Sequence, residues 1–208
     1  MTSVTRLLPA ALTLGFLAVS PALAEVPVAR WDHRPEAGAW TQATLVALKG
    51  TGKRLVQSVP ADIATFCPAY TKANEADRRA FWVGLFSALA EHESTWNPRA
   101  KGEGGKYRGL LQIAPGTARA YGCDAGALYD GASNLACAVN IASEQVEATG
   151  VVAGGPGGWG GLAADWGPMR NRSKLAEIAA WTREQAYCQL DSPKTVAPKP
   201  YGPPEYAG

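Results

Sequence analysis

One carboxylic acid and one amide, 19 residues apart, are the side chains best placed for chemistry in this sequence. The acid is Glu93, in the stretch EHESTWNPRAKGEGGKYRGLLQI over 91–113. It follows Leu89 by four residues and Leu85 by eight, so on a helix it continues the apolar stripe that those leucines begin. A carboxyl on a buried stripe loses water, and desolvation penalises its charged form and raises its pKa. Such a group can hold a proton near neutral pH and give it to a leaving oxygen. The amide is Gln112, inside the apolar turn Gly109–Ile113, where it either meets a substrate or bonds the backbone. Ser94, beside the acid, either touches substrate or caps the helix end. Between acid and amide, the loop with Gly102, Gly104 and Gly105 carries Glu103 and Tyr107 within reach of a ligand. Trp96, Tyr107 and Trp166 offer flat faces for stacking, a use that competes with plain burial. No second carboxylate is compellingly placed. Glu91 points to another helix face, and Glu103 and Asp130 read as solvated loop charges.

These residues need helices to hold them. Asn74 is a good N-cap for a helix over 75–92, with Asp77 facing the exposed amides. Phe81, Leu85, Ala88 and Leu89 form its inner stripe, with Arg78, Arg79 and Glu91 on the other side. Pro98 forbids further helix. A short helix is expected over 109–113, another from Pro115 to a stop at Gly122, and a long one capped by Ser133 or Asn134 with Leu135, Val139, Ala142 and Val146 inward. GGPGGWGG over 154–161 is either a connector or a mobile wall carrying Trp159. A last helix is expected over 173–187. Strand signals are nearly absent, so the class is all-α.

Hydrophobic residues make up 47% of the 208 positions, enough for one packed domain with tails. A net charge of +2 with no basic run excludes a nucleic-acid partner. Residues 1–24 read as a secretory signal: Arg6, then an apolar run over 7–19, then Ala22-Leu23-Ala24 as the cleavage site. That run is too short to span a bilayer, so no stable membrane insertion is expected and the mature chain starts at Glu25, periplasmic or secreted. Residues 25–66 form a partly helical lead-in, 67–190 the domain, and 191–208 a proline-rich disordered tail. In an oxidising compartment the four cysteines imply two disulfides. Cys123 and Cys137 are near enough to close locally, which leaves Cys67 with Cys188 and clamps the start of the domain to its last helix. No C-x-x-C pair occurs and the only histidines are His33 and His92, so no metal site is expected.

Glu93-Ser94-Thr95-Trp96-Asn97-Pro98 resembles the E-S-x-aromatic-N-P motif of the soluble lytic transglycosylases. Gly109-Leu110-Leu111-Gln112-Ile113, with Pro115, Thr117 and Ala118, resembles the G-L-M-Q-L-x-P-x-T-A motif that follows it in that family. Leu128-Tyr129-Asp130 and Asn134-Leu135 resemble the L-x-D-P-x-x-N-I segment. The resemblance covers about 81–170. It implies a lysozyme-like α fold with a substrate groove, no cofactor, and cleavage of the β-1,4 bond between N-acetylmuramic acid and N-acetylglucosamine in peptidoglycan glycan strands. By the same resemblance Glu93 is the acid/base, forming a 1,6-anhydro sugar without consuming water, while Ser94, Gln112, Tyr107, Trp166 and Glu103 line the substrate. One departure stands out. Where the family has A-Y-N-x-G-P, this chain has Ala163-Ala164-Asp165-Trp166-Gly167-Pro168, so Ala164 replaces the tyrosine and Trp166 or Tyr107 is expected to substitute. Two other readings compete: a lysozyme hydrolysing the same bond, and a non-catalytic peptidoglycan-binding or scaffolding protein attached to an envelope-spanning machine.

Overall fold

The longest helix among the described residues, α4 (Glu75–Ser94), delivers the acid. This computed structural model describes residues 26–155 and 158–190. The expected leader, its cleavage at Ala24 and the tail lie outside the described residues. Asn74 caps α4 as expected, its Oδ1 accepting the Asp77 N–H at 3.0 Å. The burial differs from a one-sided stripe: every residue from Ala80 to Ala90 is buried. Helices α1 (Ala37–Lys49) and α2 (Lys53–Gln57) contact α4, as does α7 (Arg172–Glu184), so α4 is a central helix. Gly84 permits one of these approaches. A Cβ there would collide with the Tyr187 hydroxyl, which reaches across to donate to the Val28 carbonyl at 3.3 Å.

The lead-in is thus part of the core, with Trp31 and Trp40 buried in edge-to-face contact. Arg30 ties it to two helices at once, pairing with Glu91 at 2.6 Å on α4 and Glu177 at 2.5 Å on α7. Helix α3 (Ile63–Phe66) follows, and Thr182 of α7 donates its hydroxyl to the Phe66 carbonyl at 2.8 Å.

Helix α6 (Gly131–Thr149) packs against α1. Its cap is neither Ser133 nor Asn134, as expected, but Asp130, which accepts the Ser133 N–H at 2.8 Å. That bond holds the Asp130 carboxyl below its usual range. Asn134 is left free for another task. Helix α5 (Pro115–Ala120) starts on its proline as expected. Helix α7 is capped by Asn171 and stops at Glu184, short of the expected Tyr187.

The described residues also form two small antiparallel ribbons. One joins β1 (Lys101–Gly102) to β2 (Tyr107–Arg108), and the other joins β3 (Gly154–Gly155) to β4 (Gly158–Trp159). Asp62 anchors the second, accepting N–H groups from Val152, Ala153 and Gly154. Residues 109–113, expected as helix, form a tight turn closed by reciprocal Arg108–Ile113 backbone bonds of 3.1 and 3.0 Å. Helix is impossible there because Gly109 (φ +77°) and Gln112 (φ +46°) are left-handed.

Both expected disulfides form, Cys67–Cys188 across 121 residues and Cys123–Cys137 across 14. The larger loop constrains the unfolded chain more. Replacing Cys67 and Cys188 by serine is expected to cost about 2–4 kcal/mol in urea unfolding. The Cys123/Cys137 double variant should lose less.

Candidate active site

Glu93 lies in the last turn of α4, half-buried. Burial pushes its carboxyl up to about 7; Lys174 and Arg170 act against that shift with positive charge. The direction is the one expected for a carboxyl that loses water, and two cations that the sequence did not announce lie within electrostatic reach. They come from the start of α7 and the turn before it, some 80 residues along the chain. Arg170 is held by donating Nη1 to the carbonyls of Ala163 and Ala164, the second at 3.0 Å.

The backbone around Glu93 is unusual. Four non-glycine residues in the described chain have positive φ: Thr95 (51°), Trp96 (55°), Glu103 (43°) and Gln112 (46°). All fall within the segment that leaves α4 and returns at the Gly109–Ile113 turn. Thr95 ends the helix in the left-handed region, where a β-branched residue is an outlier. Strain of this kind costs on the order of 1–3 kcal/mol per residue and gathers at functional sites. Trp96 helps hold it, donating its indole N–H to the Ser87 carbonyl at 2.9 Å while its ring meets His33 edge-on.

One buried amide organises the turn that faces this segment. Asn134 is fully buried. Its Oδ1 accepts the Leu111 N–H at 2.9 Å, and its Nδ2 donates to the carbonyls of Arg108 at 3.0 Å and Leu128 at 2.9 Å. Gly109 is required beside it, because a Cβ there would strike both Asn134 and the Leu128 carbonyl.

The remaining expected site residues fall into two groups. Ser94 donates its hydroxyl to Ala90 within its own helix at 3.2 Å, the helix-end use rather than an outward one. Gln112 donates its amide to the Gly109 and Ala100 carbonyls at 2.8 and 3.3 Å, which pins the ribbon to the turn. Trp166 is 3% exposed and donates its indole N–H to the Leu111 carbonyl at 2.9 Å. It braces the turn from within the core and presents no stacking face. Tyr107 is half-buried beneath the Lys106 ammonium, 4.8 Å from its ring, and Glu103 is exposed and paired with the same lysine at 3.2 Å.

Glu91 pairs with Arg30 and Asp130 caps α6, so neither stands ready beside Glu93. Asp165, which sequence reasoning passed over, has its carboxyl pushed up by burial, while a bond from Gln145 and the charge of Arg170 oppose that shift. Gln145 also donates to the Tyr121 hydroxyl at 2.8 Å. Among the described residues, no cluster of His, Cys, Asp and Glu could hold a metal ion. A surface hollow lined by Leu55, Val59, Pro60, Val146 and Glu147 contains none of the residues expected at the site.

Residues 71–154 match the family model described as the transglycosylase SLT domain. The matched stretch runs from just before α4 to β3 and lies within a mostly helical, lysozyme-like fold. The chain is similar to the solved structure of Bd0314 DslA in its wild-type form 2, with 27% identity over 78% of this chain and 98% of that one and a TM-score of 0.71. A variant of the same protein with one glutamate replaced by glutamine matches at 27% identity over 81% of this chain and all of that one, with a TM-score of 0.70. A second variant, with a different glutamate replaced, matches with a TM-score of 0.71. No curated protein sequence matches.

Proposed function

We propose that this protein is a peptidoglycan lytic transglycosylase in which Glu93 is the sole acid and base. The observation that carries the reading is the Glu93 carboxyl, raised to about 7 by burial, within the stretch that matches the SLT model. In the first step the protonated carboxyl gives its proton to the oxygen between N-acetylmuramic acid and N-acetylglucosamine, and the C1–O bond breaks. In the second, the Glu93 carboxylate takes the proton of the muramic C6 hydroxyl, whose oxygen closes onto C1. The proton count balances, no water enters, and the product is a 1,6-anhydro sugar. Lys174 and Arg170 suit the second step, since their charge favours the carboxylate that serves as base.

Peptidoglycan as substrate places the chain outside the cytoplasm, in keeping with its two disulfides and the leader expected over 1–24. Among the described residues no helix is long and apolar enough to cross a membrane. The Glu93 loop, the Asn134-braced turn and the Arg170–Lys174 segment would together flank the strand.

Hydrolysis is the second reading, and Asp165 favours it. Its carboxyl feels the same Arg170 as Glu93, and a glycosidase that uses water needs a second carboxylate. Mass spectrometry of fragments released from purified sacculi separates the two. Transglycosylation predicts muropeptides lighter by one water than their hydrolysed counterparts. Fragments with ordinary reducing ends would make Asp165 the base and water the nucleophile that it activates. Binding with no release would leave the non-catalytic reading.

A further inference from the structure

Tyr129 lies under two cations. The Lys101 ammonium is 5.8 Å and the Arg108 guanidinium 5.7 Å from its ring centre. Lys101 and Arg108 face each other across the β1–β2 ribbon, and directly opposed residues in a strand pair put their side chains on the same face. The arrangement is built from below. Asn134 Nδ2 bonds the carbonyls of both Arg108 and Leu128, so a single buried amide sets Arg108 beside the residue preceding Tyr129. Arg108 Nε donates to the Gly105 carbonyl at 3.3 Å, which aims the guanidinium and leaves its terminal amino groups for another acceptor. Among the described residues neither Lys101 nor Arg108 pairs with a carboxylate, although seven such pairs form elsewhere. The neighbouring Lys106 is different: Glu103 neutralises it.

We infer that Lys101, Arg108 and Tyr129 form a carboxylate-binding subsite that takes the acidic peptide stem hanging from muramic acid. The inference rests on the glycan-cleaving reading for its substrate. A half-buried aromatic ring supports the apolar part of a peptide, and a planar guanidinium with an adjacent ammonium matches a carboxylate held at its edge. The ribbon that carries both cations is pinned to the turn by Gln112, so the subsite is joined to the segment that starts at Glu93. The stem would then choose where the strand sits, and Glu93 would act on a bond in fixed register to it.

The test measures binding of the full chain carrying Glu93→Gln, so that no ligand is consumed. Its ligands are glycan oligomers with intact stems, the same oligomers stripped of stems, and oligomers whose stem carboxylates are amidated. The expected result is about tenfold tighter binding of the intact form than of either other form, consistent with one charge-assisted pair. In Lys101→Met/Arg108→Met this ratio should fall to about one, and Arg108→Lys, which keeps the charge, should retain part of it. A ratio near one in the parent, or an unchanged ratio in the double variant, overturns the subsite. Failure of the underlying reading would look different: the unmodified chain would release nothing from sacculi.

Discussion

Replacing Glu93 by glutamine is expected to lower fragment release from sacculi by about 100- to 10,000-fold, the range a positioned general acid contributes. Glutamine keeps the shape of the side chain and removes the proton that the first step needs. The same substitution should stabilise the fold in a pH-dependent way. An acid whose folded pKa, about 7, exceeds its ordinary value of 4.5 binds its proton more tightly in the native state. Native stability therefore falls as pH rises from about 4.5 through about 7 and stays lowered above that. Allowing for the part of the carboxyl that still meets water, the cost is on the order of 2 kcal/mol. The glutamine variant does not titrate. It should match the parent near pH 4 and exceed it by about that amount at pH 8 in urea unfolding. Activity of the parent should decline on the alkaline side as the carboxyl loses its proton. A loss of activity together with a loss of stability at pH 8 would mean that Glu93 braces the fold instead.

The second large effect is at Asn134. Asn134→Leu fills the same space and abandons three backbone groups: the Leu111 N–H and the carbonyls of Arg108 and Leu128. Leaving buried polar groups without partners costs about 1–3 kcal/mol each, and the turn can relax to satisfy some of them. The expected loss is about 3–5 kcal/mol. The readout that separates this role from ordinary packing is local. Amide hydrogen exchange over 108–113 and 128–130 should accelerate more than in the core of α4. Activity should fall with it, because Gln112, Arg108 and the ribbon are all referenced to that turn. Uniform loss of protection across the chain would reduce Asn134 to a core residue like its neighbours.

What could be read in advance was local. Asn74 as cap, Glu93 on the stripe of Leu85 and Leu89, and Pro115 at a helix start each depend on residues within one or two turns. The disulfide pairing was legible because one pair is near in sequence and the other follows from it. The all-round burial of α4 was not, since α1 and α2 also pack on it, and no local pattern encodes their approach. The Gly109–Ile113 turn has a helical apolar spacing, and nothing in the identity of Gln112 signals a left-handed backbone. Asn134 looked like a cap because caps are the common use of asparagine there; its bonds run 23 and 26 residues back along the chain. Trp166, one of two residues expected to stand in for the tyrosine that Ala164 replaces, instead bonds its indole to a carbonyl 55 residues away inside the core. Arg170 and Lys174 act on Glu93 only through tertiary folding, so their proximity had no sequence signature.

The proposed reaction needs a single side chain protonated near neutral pH, and this can be observed directly. Carbon-13 NMR of the glutamate-labelled protein, with Glu93→Gln to assign the resonance, gives the titration midpoint of the Glu93 carboxyl. A midpoint near 7 is the expected result, and a midpoint near 4.5 would contradict it.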